Sequence, residues 1–273
     1  MLTSIFNNIF LNCLYPSAWV TAKMFMIYKK GCRLLPSNYR GISIINSFAK
    51  LYDMILCCRL QQWFQPYREQ AGAQAGRGCL EHIMTLRFLI DFAKRKKVKL
   101  YVIYVDFAQA YDKVPRAVLF SILKRLGYGA TMLLSLVAMY KVTKCLIGTA
   151  IITASVGVRQ GSSTSCFLFI LFVNDMIKLY KENCNLDGFL GWLHLLVFMD
   201  DTVLLSTTRE GATKKLEILN SFCTSHGMRV NCEKTKFMVI NGKEHDYPDL
   251  IVGNLIVKKC EHYTYLGSPF TSD

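Results

Sequence analysis

The sequence predicts an α+β fold with an antiparallel sheet. Runs of β-prone residues alternate irregularly with segments whose apolar residues recur at helical spacing, and several β-prone runs are separated by only a few residues. Such short connections favour hairpins, whereas regular strand–helix–strand alternation is typical of a parallel sheet. We therefore expect an antiparallel sheet with helices on one face.

Two helices are expected in the first third of the chain, over residues 47–64 and from Cys79 onward. A Gly-rich connector, residues 70–78, separates them. A basic run from Lys94 to Lys99 follows and suits either a solvated helix end or a phosphate contact. The apolar positions of the second helix are Leu80, Ile83, Met84, Leu86, Leu89 and Ile90.

The rest of the chain alternates strands, hairpins and helices. Residues 100–107 form a β-prone run, and the helix after it has Pro115 in its first turn and ends at Gly127. The later elements are a strand pair over 142–158, a helix over 164–181, the hairpin 196–205, a helix over 211–226 closed by Gly227, and strands within 229–240, 250–257 and 262–267.

The composition is that of a globular protein with a polyanionic partner. The chain has 273 residues, 52% of them apolar, which excludes a disordered protein and is enough for a sizeable core. The 33 Lys and Arg residues exceed the 19 Asp and Glu residues by 14 charges. This excess favours nucleic acid or an acidic membrane surface, with solubility alone as the plain alternative.

Cysteine usage and the absence of targeting signals predict an intracellular protein, and they do not distinguish the nucleus from the cytoplasm. The eleven cysteines include no Cys-x-x-Cys pair, and Cys57, Cys58 and Cys166 lie in apolar helical runs, so buried free thiols are expected. The longest uninterrupted apolar run has eight residues, against the ~18 that span a bilayer. The N-terminus lacks the basic start of a signal peptide. We expect no membrane partner.

An acidic pair, Asp200 and Asp201, interrupts the apolar hairpin LVFMDDTVLL. Unpaired carboxylates are costly to bury, so an exposed turn, a helix cap, a basic partner or a divalent cation must compensate. This stretch alone favours a plain hairpin tip and a metal site equally. If the strand ending at Asp106 neighbours the hairpin, three carboxylates converge, and two Mg²⁺ ions about 3.5 to 4 Å apart would neutralise them. The alternative for Asp106 alone is a helix N-cap or a surface position at a strand end.

A series of blocks resembles the conserved blocks of reverse transcriptases, most closely those of non-LTR, LINE-type retrotransposons. In order they are NYRGISIINSFAKLYDMIL, EQAGAQAGRGCLEHI, YVDFAQAYDKVP, GVRQGSSTS, FMDD, GMRVNCEKTKFMV and YTYLGS. The resemblance implies the fingers and palm of a right-hand polymerase with the thumb missing. The implied boundaries are a lead-in over 1–28, a reverse transcriptase domain over 29–267 with fingers about 29–98 and palm about 99–267, and the start of a thumb connection over 268–273.

The implied function is an RNA-directed DNA polymerase that adds dNTPs to the 3′-hydroxyl of a DNA primer on an RNA template in retrotransposition. Asp106, Asp200 and Asp201 are similar to the catalytic aspartates of the family. With the Phe107 carbonyl they would hold two Mg²⁺ ions, with Mn²⁺ as the alternative metal. One ion would lower the pKa of the primer hydroxyl, and the other would stabilise the leaving pyrophosphate.

The resemblance also assigns residues around the nucleotide. Tyr111 is similar to the steric-gate aromatic that excludes a ribose 2′-hydroxyl, with core packing as the alternative. Gln160 and Gly161 resemble the family's residue pair beside the nucleotide sugar and the template. The alternative is an ordinary Gly turn. Lys234 is similar to a lysine near the triphosphate, or is a surface lysine.

Template and primer contacts are implied for Arg40, Arg77, Tyr263 and Tyr265. Arg40 would reach the template or triphosphate, or be solvated. The tyrosines would support the primer end, or simply pack. Many relatives have Gly-Phe-Arg where this chain has GAQ at residues 72–74, which makes Arg77 the substitute arginine.

Two further departures loosen turns without touching the aspartates: Cys166 replaces a usual proline, and Gly41 stands where proline is common. A catalytically inactive nucleic-acid-binding relic remains the alternative function, and it would bind in a salt-dependent way without turnover. A metal-binding or membrane-surface basic protein is a third interpretation, for which no amphipathic basic helix stands out. The sequence does not specify the oligomeric state.

Overall fold

The computed structural model describes residues 1–272, with the backbone alone at Ser37. The helices are α1 (Leu2–Leu11), α2 (Ser47–Trp63), α3 (Cys79–Lys96), α4 (Ala110–Lys113), α5 (Arg116–Arg125), α6 (Ala130–Lys141), α7 (Ser163–Asn183) and α8 (Arg209–His226). The strands are β1 (Thr21–Tyr28), β2 (Tyr39–Ile44), β3 (Leu100–Val105), β4 (Lys144–Ile147), β5 (Ala150–Thr153), β6 (Leu195–Phe198), β7 (Asp201–Ser206), β8 (Lys236–Ile240), β9 (Leu250–Val252), β10 (Leu255–Lys259), β11 (His262–Tyr265) and β12 (Ser268–Thr271). The predicted α+β class is confirmed.

The chain forms two compact units, each built from two separate segments. The first unit comprises Met1–Gln65 and Tyr111–Leu171, and the second comprises Pro66–Ala110 and Phe172–Asp273. The chain leaves the second unit after Ala110 and returns to it at Phe172. Each unit therefore has a core built from two separate stretches of sequence.

The first unit contains a four-stranded sheet in the order β2-β1-β4-β5. Strands β1 and β4 are parallel, and the two outer pairs are antiparallel. Elements α1, α6, β1 and β2 were not predicted from the sequence. In β1 the reason is visible, since Phe25, Met26 and Ile27 are all exposed and no apolar alternation marks a buried face.

The second unit contains a six-stranded sheet in the order β6-β7-β3-β8-β10-β9. It is antiparallel except at β8 and β10. One face packs against α3 and the β11–β12 hairpin, where Leu86, Ile90 and Tyr265 join Val102 and Tyr104 of β3. All of β3 is buried, and α8 contacts β3, β7 and β9. Both faces are therefore covered, in contrast to the predicted single face.

Helix boundaries follow local signals in the sequence. The Thr208 hydroxyl accepts a hydrogen bond from the Gly211 N–H at the start of α8, and Gly227 closes the helix with a φ of 64°. In α3 the core positions include Leu86 and Ile90, whereas Leu80 and Met84, which were expected on the apolar face, are more than half exposed. The helix exists as predicted, but its buried stripe is narrower.

Helix α7 is the one helix within residues 1–272 that is long and apolar enough to cross a membrane, with 21 residues and a mean hydropathy of 1.3. The expectation of no such segment relied on uninterrupted runs, whereas an average tolerates Asn174 and Asp175. Of the apolar window, 78% is buried inside the protein, as in an ordinary core helix. All eleven cysteines are free thiols, but Cys58 and Cys166 are exposed, which corrects their predicted burial.

Candidate active site

The sheet of the second unit brings Asp106 and Asp201 together. Val105 of β3 lies opposite Thr202 of β7 in an antiparallel pair, so the next positions along the two strands are Asp106 and Asp201. Neighbouring strands are about 4.8 Å apart, which places both residues at one end of the strand pair. The predicted convergence of the β3 end with the hairpin is present for this pair.

Asp106 is fixed by the loop that precedes β8. Its backbone N–H donates to the Thr235 hydroxyl at 3.1 Å, and its carbonyl accepts from the Asn231 N–H at 2.8 Å. Thr235 is fully buried, so its hydrogen bond with Asp106 is partly shielded from water. The Lys234 ammonium, which is exposed, lies 3.8 Å from a carboxylate oxygen of Asp106. The family resemblance pointed to Lys234, whereas Asn231 and Thr235 carried no signal except their place in the same block.

Asp200 lies in a tight hairpin turn and Asp201 directly follows it, as the sequence predicted. Phe198 pairs with Asp201, so Met199 and Asp200 are the two turn residues. Met199 has a φ of 59°, which two-residue hairpins require at their first turn position and which Gly usually supplies. A side chain in this conformation costs about 1 kcal/mol, so other contacts must hold the turn.

The negative charges of Asp106 and Asp201 act electrostatically on Tyr263 of β11. Burial raises the pKa of the Tyr263 phenol, and the charges of Asp106 and Asp201 raise it further, to about 12. The ring stacks on Tyr104, with centroids 4.0 Å apart. Tyr263 is therefore a neutral aromatic surface beside the acidic pair, which is compatible with its predicted place at the primer.

The donor set suits a hard divalent cation. The aspartate carboxylates and the Phe107 carbonyl offer oxygen ligands, which Mg²⁺ and Mn²⁺ prefer. Within the described part of the chain, no three His, Cys, Asp or Glu side chains are grouped closely enough to hold one ion. Asp106 and Asp201 are adjacent by register, and Asp200 occupies the turn beside them.

The predicted nucleotide residues Tyr111, Gln160 and Gly161 belong to the first unit. The Tyr111 ring stacks on Phe169 at 4.3 Å, so it packs against the core as its alternative interpretation proposed. The Gln160 amide donates to the Asp112 carboxylate at 3.1 Å. Gly161 has a φ of 111°, and a Cβ there would collide with a backbone carbonyl oxygen, so this position requires glycine.

Helix α2 holds the segment around Gly161 through two side chains. The Lys50 ammonium donates to the Gly161 carbonyl at 2.7 Å. Asp53 is buried, and its carboxylate accepts hydrogen bonds from the Ser162 hydroxyl at 2.8 Å and from Thr164 at the start of α7. Neither residue was predicted from the sequence, although the run of hydroxyls after Gly161 is typical of a capped helix start.

The predicted template and primer residues differ in accessibility. Arg40 is exposed on β2 of the first unit. In the second unit, Arg77 donates to the Glu81 carboxylate at 3.0 Å and to the Gln70 carbonyl at 2.8 Å, so its guanidinium is engaged within the protein. Tyr265 is only 3% exposed and packs in the core, which favours the packing alternative over a direct primer contact.

Comparison with known proteins identifies the family to which the chain belongs. Residues 27–270 match the family of reverse transcriptases (RNA-dependent DNA polymerases). The chain therefore belongs to the reverse transcriptase family, as the motif blocks predicted.

The similar proteins are encoded by non-LTR retrotransposons. The Pol polyprotein of element R2 from Nasonia vitripennis is 25% identical over 98% of this chain and 28% of its own length. The RNA-directed DNA polymerase of mobile element jockey from Drosophila melanogaster is 22% identical over 97% of this chain and 26% of its own. The chain thus spans about a quarter of the length of these relatives.

Solved telomerase structures share the fold. The telomerase from Candida albicans, determined with a fragment of telomeric RNA, has a TM-score of 0.62 at 12% identity and covers 98% of this chain and 47% of its own. The apo telomerase from Candida tropicalis truncated from its C-terminal domain has a TM-score of 0.59 at 15% identity, over 99% of this chain and 58% of its own. The predicted right-hand polymerase fold is confirmed.

Proposed function

We propose that this chain is the core of a retrotransposon RNA-directed DNA polymerase that adds dNTPs to a primer 3′-hydroxyl on an RNA template. The observation that carries the proposal is the adjacency of Asp106 and Asp201 on β3 and β7, within a chain of the reverse transcriptase family. Paired carboxylates at a strand end are accessible to ligands. They do not form the pair of nucleophile and general base that covalent catalysis uses. That arrangement suits phosphoryl transfer by positioned charge.

Asp106, Asp200, Asp201 and the Phe107 carbonyl are proposed to hold two divalent ions. Bound there, the metal supplies charge neutralisation and activation of the primer hydroxyl. The backbone contacts of Asp106 to Asn231 and Thr235 orient its carboxylate, which is what metal ligands generally need from their surroundings. Lys234 is proposed to release Asp106 and meet the triphosphate, because an exposed ammonium is free to turn toward a phosphate.

Tyr111, Gln160 and Gly161 are proposed to form the surface on which the nucleotide sugar and the template base rest. Their support is local rigidity. Tyr111 is stacked on Phe169, and the Gly161 carbonyl is held by Lys50. A residue fixed in this way discriminates between sugars better than a mobile one. The net charge of +14 supports RNA and DNA as partners, through Lys and Arg contacts to phosphates.

The test is extension of a DNA primer annealed to RNA, measured with Mg²⁺ and with Mn²⁺. The wild-type chain is compared with Asp201→Asn and with Asp91→Asn, which makes the same chemical change at an exposed position of α3. We expect extension by the wild type and by Asp91→Asn, and none by Asp201→Asn. Equal extension by Asp201→Asn would exclude the proposed mechanism. Binding of primer and template without extension by any variant would instead favour the inactive relic.

A further inference from the structure

Gln70 lies in the connector between α2 and α3, and its side chain is fully buried. Its amide oxygen accepts hydrogen bonds from two backbone N–H groups, that of Gly72 at 2.8 Å and that of Met199 at 2.9 Å. Its amide nitrogen lies 3.5 Å from the Met199 carbonyl oxygen. One side chain thus contacts both backbone polar groups of the turn residue that has the left-handed backbone.

The connector around Gln70 is itself fastened to the sheet. The Ala71 N–H donates to the carbonyl of Val197 in β6 at 2.9 Å, and Gln70 forms a parallel bridge with the same strand residue. The Gln70 carbonyl accepts from the Arg77 guanidinium at 2.8 Å and from the Gln74 amide. Gln74 and Arg77 thus both hold the backbone of Gln70 in place.

Gly72 allows the connector and the turn to approach closely. A Cβ at this position would lie 2.6 Å from the backbone nitrogen of Met199, a distance that side-chain rotation cannot relieve. Gly78, at the other end of the same connector, has nothing within 4 Å of a Cβ. The two glycines therefore form a matched pair, because an alanine would displace the turn at only one of them.

We propose that Gln70 is a positioning residue that fixes the backbone of Met199 and thereby sets the direction in which Asp200 and Asp201 leave the β6–β7 turn. Without the Gln70 hydrogen bonds, the backbone of Met199 would be free to leave the left-handed conformation, which is unfavourable for a non-glycine residue. Asp200 and Asp201 would then change direction with it. Because ligand geometry must be held within about 0.5 Å, a small rotation is sufficient to impair metal binding. The catalytic consequence rests on the proposed function, whereas the structural one does not.

Three variants of Gln70 and its neighbours test the clamp. Gln70→Leu removes both acceptor contacts, Gln70→Glu keeps an oxygen acceptor, and Gly72→Ala pushes against the turn, with Gly78→Ala as its control. Amide hydrogen exchange at Met199 measures the clamp directly, and Mn²⁺ binding in the presence of dNTP measures its effect on the acidic pair. In Gln70→Leu we expect exchange about tenfold faster and Mn²⁺ binding about tenfold weaker.

Kinetics separate positioning from folding. Gln70→Leu should lower the rate at saturating dNTP by about tenfold and raise the Mg²⁺ requirement, while leaving the affinity for primer and template unchanged. Gln70→Glu should recover part of the rate. Met199→Gly adopts the left-handed turn without strain, so the loss caused by Gln70→Leu should shrink in that background.

Each outcome decides the proposal. Unchanged exchange at Met199, unchanged Mn²⁺ binding, or an equal loss in the Met199→Gly background would overturn it. Asp201→Asn separates this result from the fate of the proposed function. If Asp201→Asn remains active the polymerase mechanism fails, and if only the Gln70 variants behave like the wild type the clamp alone is rejected. Should no variant extend a primer, the exchange and Mn²⁺ measurements still decide.

Discussion

Two acidic sites in the second unit differ in how completely the protein satisfies them. Asp246 is 1% exposed, and its carboxylate accepts hydrogen bonds from Lys99 at 2.8 Å, from the Tyr101 hydroxyl and from the Lys243 N–H at 2.9 Å. The Asp106 side chain is 29% exposed, with the Lys234 ammonium 3.8 Å away. The Asp246 carboxylate is enclosed by its donors, whereas Asp106 is held by its backbone and its side chain is left accessible, which suits the role proposed for it as a metal ligand.

The comparison extends to protonation. Burial alone would raise the pKa of Asp246, but the hydrogen bonds from Lys99, Tyr101 and Lys243 outweigh it and lower the pKa to about 2. Its ionised form therefore contributes to folding stability across the neutral range. Asp106 and Asp201 occupy neighbouring positions on β3 and β7, so repulsion between their like charges would reduce stability, and a bound cation would relieve it.

The largest expected effect is the loss of activity in Asp106→Asn. Removing one ligand charge should slow dNTP addition by about 1000-fold, since bound metal supplies several kcal/mol of transition-state stabilisation. The melting temperature should stay the same or rise, because the repulsion with Asp201 disappears. Primer extension and thermal unfolding of the same preparation measure both. A fall in melting temperature together with activity would mean that Asp106 is a structural residue like Asp246.

The opposite pattern is expected for Asp246→Asn. Losing the ionised acceptor should reduce the free energy of unfolding by about 2 kcal/mol at pH 7. Because the folded pKa is depressed, this difference should diminish as the pH falls from about 4 towards 2, where the wild-type carboxylate takes up its proton. Urea unfolding at pH 7 and pH 3 measures it. An equal difference at both pH values would show that Asp246 acts through packing instead of charge.

A smaller effect tests the support of Asp106. Thr235→Val keeps the buried shape but removes the hydroxyl that accepts the Asp106 N–H, and Thr235→Ser keeps the hydroxyl. The lost hydrogen bond corresponds to about 1 kcal/mol, so Thr235→Val should lower the extension rate several-fold while Thr235→Ser stays close to the wild type. Equal rates for the two variants would show that shape, and not the hydrogen bond, matters at this position.

The smallest effect concerns two buried histidines of the second unit. Burial lowers the pKa of His82 and of His194 to about 4, so both are neutral in the folded protein at pH 7. In the unfolded chain they take up protons below about pH 6.5, and stability should therefore fall as the pH drops from 6.5 towards 4. We expect a loss of about 1 kcal/mol between pH 7 and pH 6, reduced in His82→Gln. A constant free energy of unfolding over this range would contradict the assignment.

The sequence predicts regular, strongly patterned features of this protein well. The hairpin around Asp200, the strand ending at Asp106 and helix α8 with its Gly227 cap are where local pattern and turn residues place them. These elements can be recognised in the sequence because each has a periodic apolar face or a conformation that few residues can adopt.

Other features arise only from contacts between distant segments. Gln70 and Met199 are 129 positions apart, and no local pattern relates an amide in a Gly-rich connector to a hairpin turn. Likewise, Asp53 reads as one polar position in helix α2, and its role appears only when Ser162 and Thr164 lie beside it. Residues that support a site are therefore harder to predict than the residues that act in it.

The proposed binding of divalent metal by the acidic pair can be measured as Mn²⁺ binding by electron paramagnetic resonance. Wild-type chain, Asp106→Asn and Asp91→Asn would be titrated with Mn²⁺ in the presence of primer, template and dNTP. We predict that Asp106→Asn binds at least about tenfold more weakly, since a carboxylate ligand is lost, and that Asp91→Asn matches the wild type. Equal Mn²⁺ binding by all three chains would exclude a metal site at the acidic pair.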